Sequence, residues 1–458
     1  MIANQFTNIL MPSDTNGCWF WRAQTAVNQV WALGPNTGIN NSVICKPTMD
    51  QNFYKNLNMF MVQRLLSNEQ HKFFMGMLVP YSNAFNFWTV YNIDDAMHYN
   101  DIPHYNRGRA AFANDKIQQN IKEMLNAADF VFTTTDYIKE YYNRVYGVPM
   151  ENIIALPNLL PRWWIGNFYD NEKLTENFRK NKKKIRVGII SSLSHYNIDN
   201  LYEDENGYVV YKKTGPDGKD IYINEKEQPV DFNKCHIVSD DLDLIIDVIL
   251  KSMDDIQWVI CGYTPPKLEQ YVKAGKIEVH RSAPITNYPA LINSLKLNAI
   301  VAPIIDGEFN RCKSNIKWLE CCALGVPLFA SNMITYNKYM PESQLFKNSD
   351  ELLLKLEKLQ LMSANIFSEI IAKQWKWLNS PTEECGWKLS NWWLEDNIDP
   401  WIKLFSMRQK GQTLSFSKFL EVKKQQASKQ QELILQQTYI NDKPEEIIFQ
   451  KNGIEIVK

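Results

Sequence analysis

The chain has 458 residues, a net charge of −1, and 45% hydrophobic and 22% charged residues. That is the composition of a globular protein with two or three domains of roughly 150 residues each. No apolar run approaches the ~20 residues a membrane helix needs, and the first fourteen residues lack the basic start, long apolar core and cleavage site of a signal peptide. Near-neutral charge gives no global sign of nucleic-acid binding. Eight cysteines without a CxxC pair or regular spacing favour neither a zinc site nor a disulfide framework, so reduced thiols in a cytoplasm are expected.

In chain order, residues 8–13 (NILMPS) read as a first strand, followed by the loop DTNGCWFWR and a helix running to Trp31. SVICKP, MFMVQRL and WTVYNIDD read as further strands. A helix over about 110–127, the strand FVFTT, a helix with Tyr137 and Tyr141, and the strand NIIALPN complete a doubly wound α/β pattern over residues 1–180. The basic run RKNKKKIR at 179–186 reads as an interdomain linker.

A second alternation over 181–390 contains the strands IRVGIISS, DIQWVICGY, KIEVHRS, NAIVAPII and VPLFAS. It is interrupted at about 197–235, where YVVYKK and DIYINE flank the turn GPDG as a β-hairpin insertion. A helix over 391–420, containing SNWWLEDNIDPWIKLF, is expected to cross back to the first domain. Residues 421–458 read as a Gln/Lys-rich tail with a surface helix. Of 14 Trp, including the pairs Trp163-Trp164 and Trp392-Trp393, most are expected as core or interface anchors and one or two as stacking surfaces.

The richest stretch is 298–332, NAIVAPIIDGEFNRCKSNIKWLECCALGVPLFASN, which reads as a βαβ unit with its chemistry at one end. Ser314 is expected to cap a helix that closes at Gly325, so free amides and the positive end of the helix dipole would meet an anion. Lys313, Lys317 and Glu320 fall on one helical face, and Ile316, Leu319 and Ala323 on another.

These residues resemble the nucleotide-sugar domain of a GT-B glycosyltransferase related to family 4 retaining enzymes. That family carries E-x(7)-E here. Glu320 matches the last position, which the resemblance makes the ribose ligand, whereas Cys312 stands where the first Glu belongs. The form FNRCKSNIKWLE is similar to the FN-x-x-KS-x-IK-x-LE of a phage- and bacteria-associated branch, and there Lys313, Ser314 and Asn315 would take the donor phosphates. The implied fold is α/β, with two Rossmann-like doubly wound domains facing each other across a cleft, acceptor domain first.

The resemblance extends to VGIISSLSHYNID, where Ser192, Ser194 and His195 would touch phosphate or donor sugar, and to Arg281, Ala283 and Pro284, whose backbone would meet the base. In the first domain it implies phosphate contact at Gly17, acceptor contact at Arg22, and orientation or deprotonation of the acceptor hydroxyl by Asp94 and Asp95; Asn158 reads as structural. Asp94-Asp95 is adjacent rather than spaced as DxD, so no metal is expected and none is required. The alternative for that pair is helix capping.

The implied activity is sugar transfer from a nucleotide-diphosphate sugar, a UDP-sugar first, with retention, and without a tightly bound cofactor. The branch suggests a 5-hydroxymethyl-pyrimidine in DNA as acceptor, in the host cytoplasm if the chain is phage-encoded. Its phosphates would then be met by basic patches at Arg107-Arg109, 179–186 or the Lys/Gln tail. A surface glycan, lipid-linked or protein acceptor, an inactive nucleotide-sugar-binding scaffold, and an epimerase stand as alternatives.

Overall fold

The computed structural model describes residues 6–13, 17–34, 37–214, 220–407, 446–450 and 453–457. The chain divides into two compact units: Met1–Ala96 with Asn114–Arg162 and Asn379–Lys458, and Met97–Ala113 with Trp163–Leu378.

The first unit is built on β1 (Phe6–Met11), β2 (Ile39–Val43), β3 (Met59–Gln63), β4 (Trp88–Asn92), β5 (Phe130–Thr133) and β6 (Ile153–Ala155). All are parallel, in the order β2-β1-β3-β4-β5-β6. β3, β4 and β5 are buried along their whole length, as strands covered by helices on both faces must be. The helices start where side chains satisfy the first free amides: Asn114 accepts from Lys116 N ahead of Asp115–Ala127, and Thr135 from Ile138 N ahead of Asp136–Tyr146.

The second unit is built on β7 (Ile185–Ser191), β12 (Ile256–Gly262), β13 (Glu278–His280), β14 (Ala299–Ala302), β15 (Leu328–Ser331) and β16 (Leu345–Phe346). Its parallel order is β13-β12-β7-β14-β15-β16. Counted within the unit this is 3-2-1-4-5-6, the Rossmann order, whose switch point lies between β7 and β14. Two Rossmann-like doubly wound units are therefore present, as the GT-B resemblance implies. Between β7 and β12 the insertion forms a four-stranded antiparallel sheet from β8 (Tyr202–Glu203), β9 (Val209–Thr214), β10 (Asp220–Asn224) and β11 (His236–Ile237), ordered β10-β9-β8-β11. The GPDG turn, residues 215–218, lies outside the described residues.

Several boundaries differ from the sequence reading. Residues Met97–Ala113 already belong to the second unit, and the boundary expected at 180 falls at Arg162/Trp163, because helix Asn171–Asn181 packs on helix Ala364–Leu378: Phe178 stacks on Phe367 at 4.2 Å. The basic run is no linker, since Arg179 and Lys180 end that helix and Arg186 lies in β7, paired with Glu278 at 2.8 Å. The return to the first unit starts at Asn379, with a two-stranded ladder of β17 (Thr382–Glu384) and β18 (Trp387–Leu389). It continues with an exchange of backbone hydrogen bonds between Leu160 and residues 392 and 394, and ends in the short helix Asp399–Phe405. Residues 408–445, which hold most of the expected tail, lie outside the described set; Glu446–Gln450 and Gly453–Val457 pair as an antiparallel hairpin. Among the described residues no helix is long and apolar enough to cross a membrane.

Gly325 ends helix Ile316–Leu324 at φ +66°, and an added Cβ there would run into the Leu174 side chain and come within 3.1 Å of the Tyr169 ring. Both the backbone and the packing demand glycine. Gly325→Ala is expected to cost about 1–3 kcal/mol, read as a lower urea midpoint at unchanged m-value.

Candidate functional site

At the carboxyl ends of β7 and β14 a buried carboxylate collects donors from four separate stretches. Asp241, 1% exposed, contacts His195 Nδ1 through Oδ2 at 2.6 Å. Its Oδ1 accepts from Ile305 N at 2.7 Å, Tyr105 Oη at 2.9 Å and Asn310 Nδ2 at 3.4 Å. Ile305 follows β14 and His195 follows β7, so the network joins the two loops of the switch point, where open α/β sheets bind ligands. A carboxylate at Nδ1 fixes that nitrogen as the donor, leaving Nε2 as the nitrogen available for outside chemistry. Burial, then the Asp241 charge, pushes the Tyr105 phenol well up, so it stays a neutral donor. Ser192 and Ser194, in the same loop as His195, share a hydroxyl contact of 2.6 Å.

The next cluster surrounds Glu320, which is 5% exposed. Its Oε2 accepts from Lys317 Nζ at 2.9 Å and Tyr288 Oη at 3.1 Å, and Lys317 also donates to that phenol at 2.9 Å. Burial alone would lower the Lys317 ammonium, but the Glu320 charge outweighs it and holds the group well above its ordinary range. Tyr288 stacks on Trp164 with planes 7° apart, and the Trp164 indole donates to Ile285 O at 2.6 Å. Arg281, Ala283 and Pro284 run straight into this segment, so the expected base loop and the expected ribose ligand are joined through Tyr288. Buried Tyr336 lies within the field of both clusters. Burial pushes its phenol well up against the pull of Lys317, and the Glu320 and Asp241 carboxylates add to the rise.

The helix start differs from the sequence reading. A short turn, Glu308–Arg311, comes first, and helix Ile316–Leu324 is entered through Asn315 without a side-chain cap. Ser314 is therefore not the N-cap. Lys313 precedes the helix instead of sharing a face with Lys317, and its ammonium lies 4.3 Å from the Phe309 ring centre. Cys312 is fully buried.

In the first unit, Arg22 overturns its expected acceptor role. It is fully buried, with Nε bonded to Asn92 Oδ1, Nη1 to Leu156 O and Asn158 Oδ1, and Nη2 to Thr133 O. Arg22 therefore ties together the carboxyl ends of β4, β5 and β6. It sits in a π-helical turn, Phe20–Gln24, which turns the side chain inward where an ordinary surface helix would present it to solvent. Burial pulls its guanidinium down to about 10. Gly17 opens the helical turn Gly17–Trp19, and an added Cβ would meet open space; no backbone or packing demand for glycine exists there.

Among the described residues, neither Asp94 nor Asp95 stands at a helix N-cap. Both bind Arg64 Nη2, at 2.7 and 3.0 Å, and the same nitrogen contacts Cys18 Sγ at 2.7 Å. Arg64 holds φ +42° at the end of β3, a conformation costing about 1–3 kcal/mol for a non-glycine residue. Burial would raise the Asp94 carboxyl, but Arg64 reverses this and holds it below its ordinary range, which makes it a weak proton acceptor. Cys18, Asp94 and Asp95 offer three ligand atoms within 4.8 Å of one another. A cation there would have to displace the Arg64 guanidinium.

Of the basic patches expected to meet DNA phosphates, the Lys/Gln tail lies largely outside the described residues, and the arginines of the other two are paired internally. Arg107 pairs with Asp199, Arg109 with Glu225, Arg179 with Glu176 and Arg186 with Glu278. Asp241, Tyr105, Tyr288 and Arg64 carry no expectation from the sequence, and Trp164 is expected only as one of the tryptophan anchors or stacking surfaces. Asp241 stands in SDDLDL, which reads as ordinary helix-start acidity; Tyr105 and Arg64 have no local pattern at all.

No family model and no curated protein matches the chain. Among solved structures it is similar to a glycosyltransferase from Rickettsia africae (9% identity, 88% of this chain and 98% of that one, TM-score 0.49). It is also similar to Anabaena HepE in complex with UDP (11%, 81% and 95%, 0.48) and to WaaG, a glycosyltransferase of lipopolysaccharide biosynthesis (10%, 81% and 95%, 0.45). At these identities and TM-scores the likeness carries no argument about activity.

Removing the Arg22 guanidinium strands the carbonyls of Thr133 and Leu156, each costing about 1–3 kcal/mol when buried unpaired. Arg22→Met is expected to lose at least about 3 kcal/mol of unfolding free energy in urea. Loss of activity at unchanged stability would return Arg22 to the reaction.

Proposed function

We propose that the chain is a glycosyltransferase that moves a sugar from a nucleotide-diphosphate sugar, a UDP-sugar first, to an acceptor hydroxyl. One observation carries this reading. Residues resembling the donor motif, at 192–195, 281–284 and 313–320, gather in one unit around the carboxyl end of a Rossmann sheet, with His195 held in the Asp241 network and Lys317 and Glu320 paired beside Tyr288. Such sheet ends and helix starts are where phosphate-bearing ligands bind.

In this scheme Lys313, Ser314 and Asn315, with the first amides of helix Ile316–Leu324, neutralise the departing diphosphate. Glu320 accepts ribose hydroxyls, Lys317 and Tyr288 hold its carboxylate in place, and the Arg281–Pro284 backbone borders the base. His195, oriented by Asp241, presents Nε2 to the donor sugar or its phosphate. With cationic groups and amides on the phosphates, no divalent ion is required. Retention follows the family 4 resemblance, with a donor phosphate oxygen taking the acceptor proton. The depressed Asp94 carboxyl supports an orienting role for that residue over a basic one.

Hydrogen bonds to a charged group contribute about 1.5–3 kcal/mol, roughly a ten- to hundredfold change in affinity. Glu320→Ala is expected to weaken UDP binding by at least about tenfold in calorimetry, with Glu320→Gln as the variant that retains volume and fold. Unchanged affinity in a folded variant would remove the ribose assignment.

The acceptor we propose is a 5-hydroxymethyl-pyrimidine in DNA, with the reaction in a cytoplasm and the first unit binding the acceptor. Its support is the resemblance of FNRCKSNIKWLE to the phage- and bacteria-associated branch; the internal pairing of Arg107, Arg109 and Arg186 gives it no electrostatic support. Incubation of hydroxymethylated DNA with UDP-sugars is expected to add one hexose or pentose mass to the modified nucleoside. Donor turnover with a glycan, lipid-linked or protein acceptor and none with DNA would redirect the acceptor assignment.

A further inference from the structure

The second unit holds a cavity of about 690 Å³, within the range of ~300–1,000 Å³ typical of small-molecule sites. It is separate from the clusters described above. Trp318 lies on its wall, and Trp318 and Glu320 stand about 200° apart around their helix, so cavity and carboxylate occupy opposite faces. The walls are apolar and aromatic: Phe329, Met340, Leu359, Ile370 and Trp377 accompany Trp318.

Four lysines, Lys338, Lys355, Lys358 and Lys373, also line the cavity, and no aspartate or glutamate does. Lys338, Lys358 and Lys373 are exposed. Lys355 donates to a backbone carbonyl, Glu342 O, at 3.1 Å, and Lys373 has only a 4.0 Å pair with Glu369, in which both side chains are mostly exposed, a pairing of little strength. The lining is therefore apolar with an excess of positive charge.

A second observation is independent of shape and charge. Trp318 and Gln374, both on the lining, are 1% and 3% exposed. Among the described residues, the Trp318 indole nitrogen and the Gln374 side-chain oxygen have no hydrogen-bond partner, and the other amide atom of Gln374 reaches Cys322 Sγ, at 3.9 Å. Buried polar groups are rarely left so. A purely apolar occupant would leave the Trp318 N–H unsatisfied, whereas an anionic head group offers the acceptor it lacks.

We propose that this cavity binds a small amphipathic anion: an apolar chain or ring system packed against the aromatic walls, with a phosphate or carboxylate held by the lysines. The interaction is independent of the transferase reading: Trp318 alone is shared with the donor-motif stretch 313–320, no donor contact is assigned to it, and its side chain stands on the opposite helix face from Glu320.

The test is calorimetry of the full chain with dodecyl phosphate and dodecanoate below their micelle concentrations, with dodecanol and inorganic phosphate as the single-property controls. Either anion is expected to bind at least tenfold more tightly than dodecanol, and phosphate alone to show no heat; the tighter of the two anions identifies the head group. Lys355→Glu with Lys358→Glu is expected to weaken the anion at least tenfold, and Ile370→Trp, which fills the cavity, to abolish binding. Circular dichroism separates these effects from misfolding, and the charge variants alter side chains at the surface rather than the core. Equal affinity for dodecanol, or anion binding unchanged in the folded charge variant, would overturn the proposal.

Discussion

The site in the second unit depends on one buried charge. Taking the Asp241 carboxylate out of water is expensive, and it is tolerable only because donors from His195, Tyr105, Ile305 and Asn310 converge on its two oxygens. Those donors come from the loop after β7, the inserted segment 97–113, the loop after β14 and the turn Glu308–Arg311. One carboxylate thus sets the positions of the two loops at the switch point and the tautomer of the histidine between them. A neutral residue there would leave the same donors unpaired and the loops without a common anchor.

The first unit uses charge in the opposite sense. Arg22 spends its guanidinium on carbonyls at the ends of β4, β5 and β6, closing the sheet where a ligand would otherwise find hydrogen-bond acceptors. Arg64, in a strained backbone conformation, gathers Asp94, Asp95 and Cys18 around one nitrogen. Asp94 is consequently held as an oriented carboxylate rather than as a base waiting for a proton, with Asp95 bound to the same guanidinium. Both arginines fix the positions of the groups around them, and both are held by residues remote in sequence.

The Glu320 cluster joins the two modes. Lys317 and Glu320, three residues apart on one helix, are a pair that helical periodicity makes visible. On an exposed helix it would contribute a few tenths of a kcal/mol. Here burial and the Tyr288 phenol turn it into a rigid unit, with Trp164 stacked behind the tyrosine. Cys312, where the family pattern has an acid, is packed into the core, so its side chain takes no place on the surface of the unit.

What the sequence determined by itself was everything carried by local periodicity. The apolar runs WTVYN, IQWVICG, AIVA and LFAS become buried parallel strands, two Rossmann-like units follow from their alternation with helices, and YVVYKK and DIYINE pair around their turn. Lys317–Glu320 was legible for the same reason, since its partners lie within one helical turn. The tertiary structure alone decided where charges end up. Asp241 and Arg64 carry no local signature, Arg22 looked like a residue facing ligand or solvent, and the basic run at 179–186 looked like a linker. Each is governed by partners some 30 to 136 positions away, and a long-range hydrogen bond leaves no periodic trace in the chain that makes it.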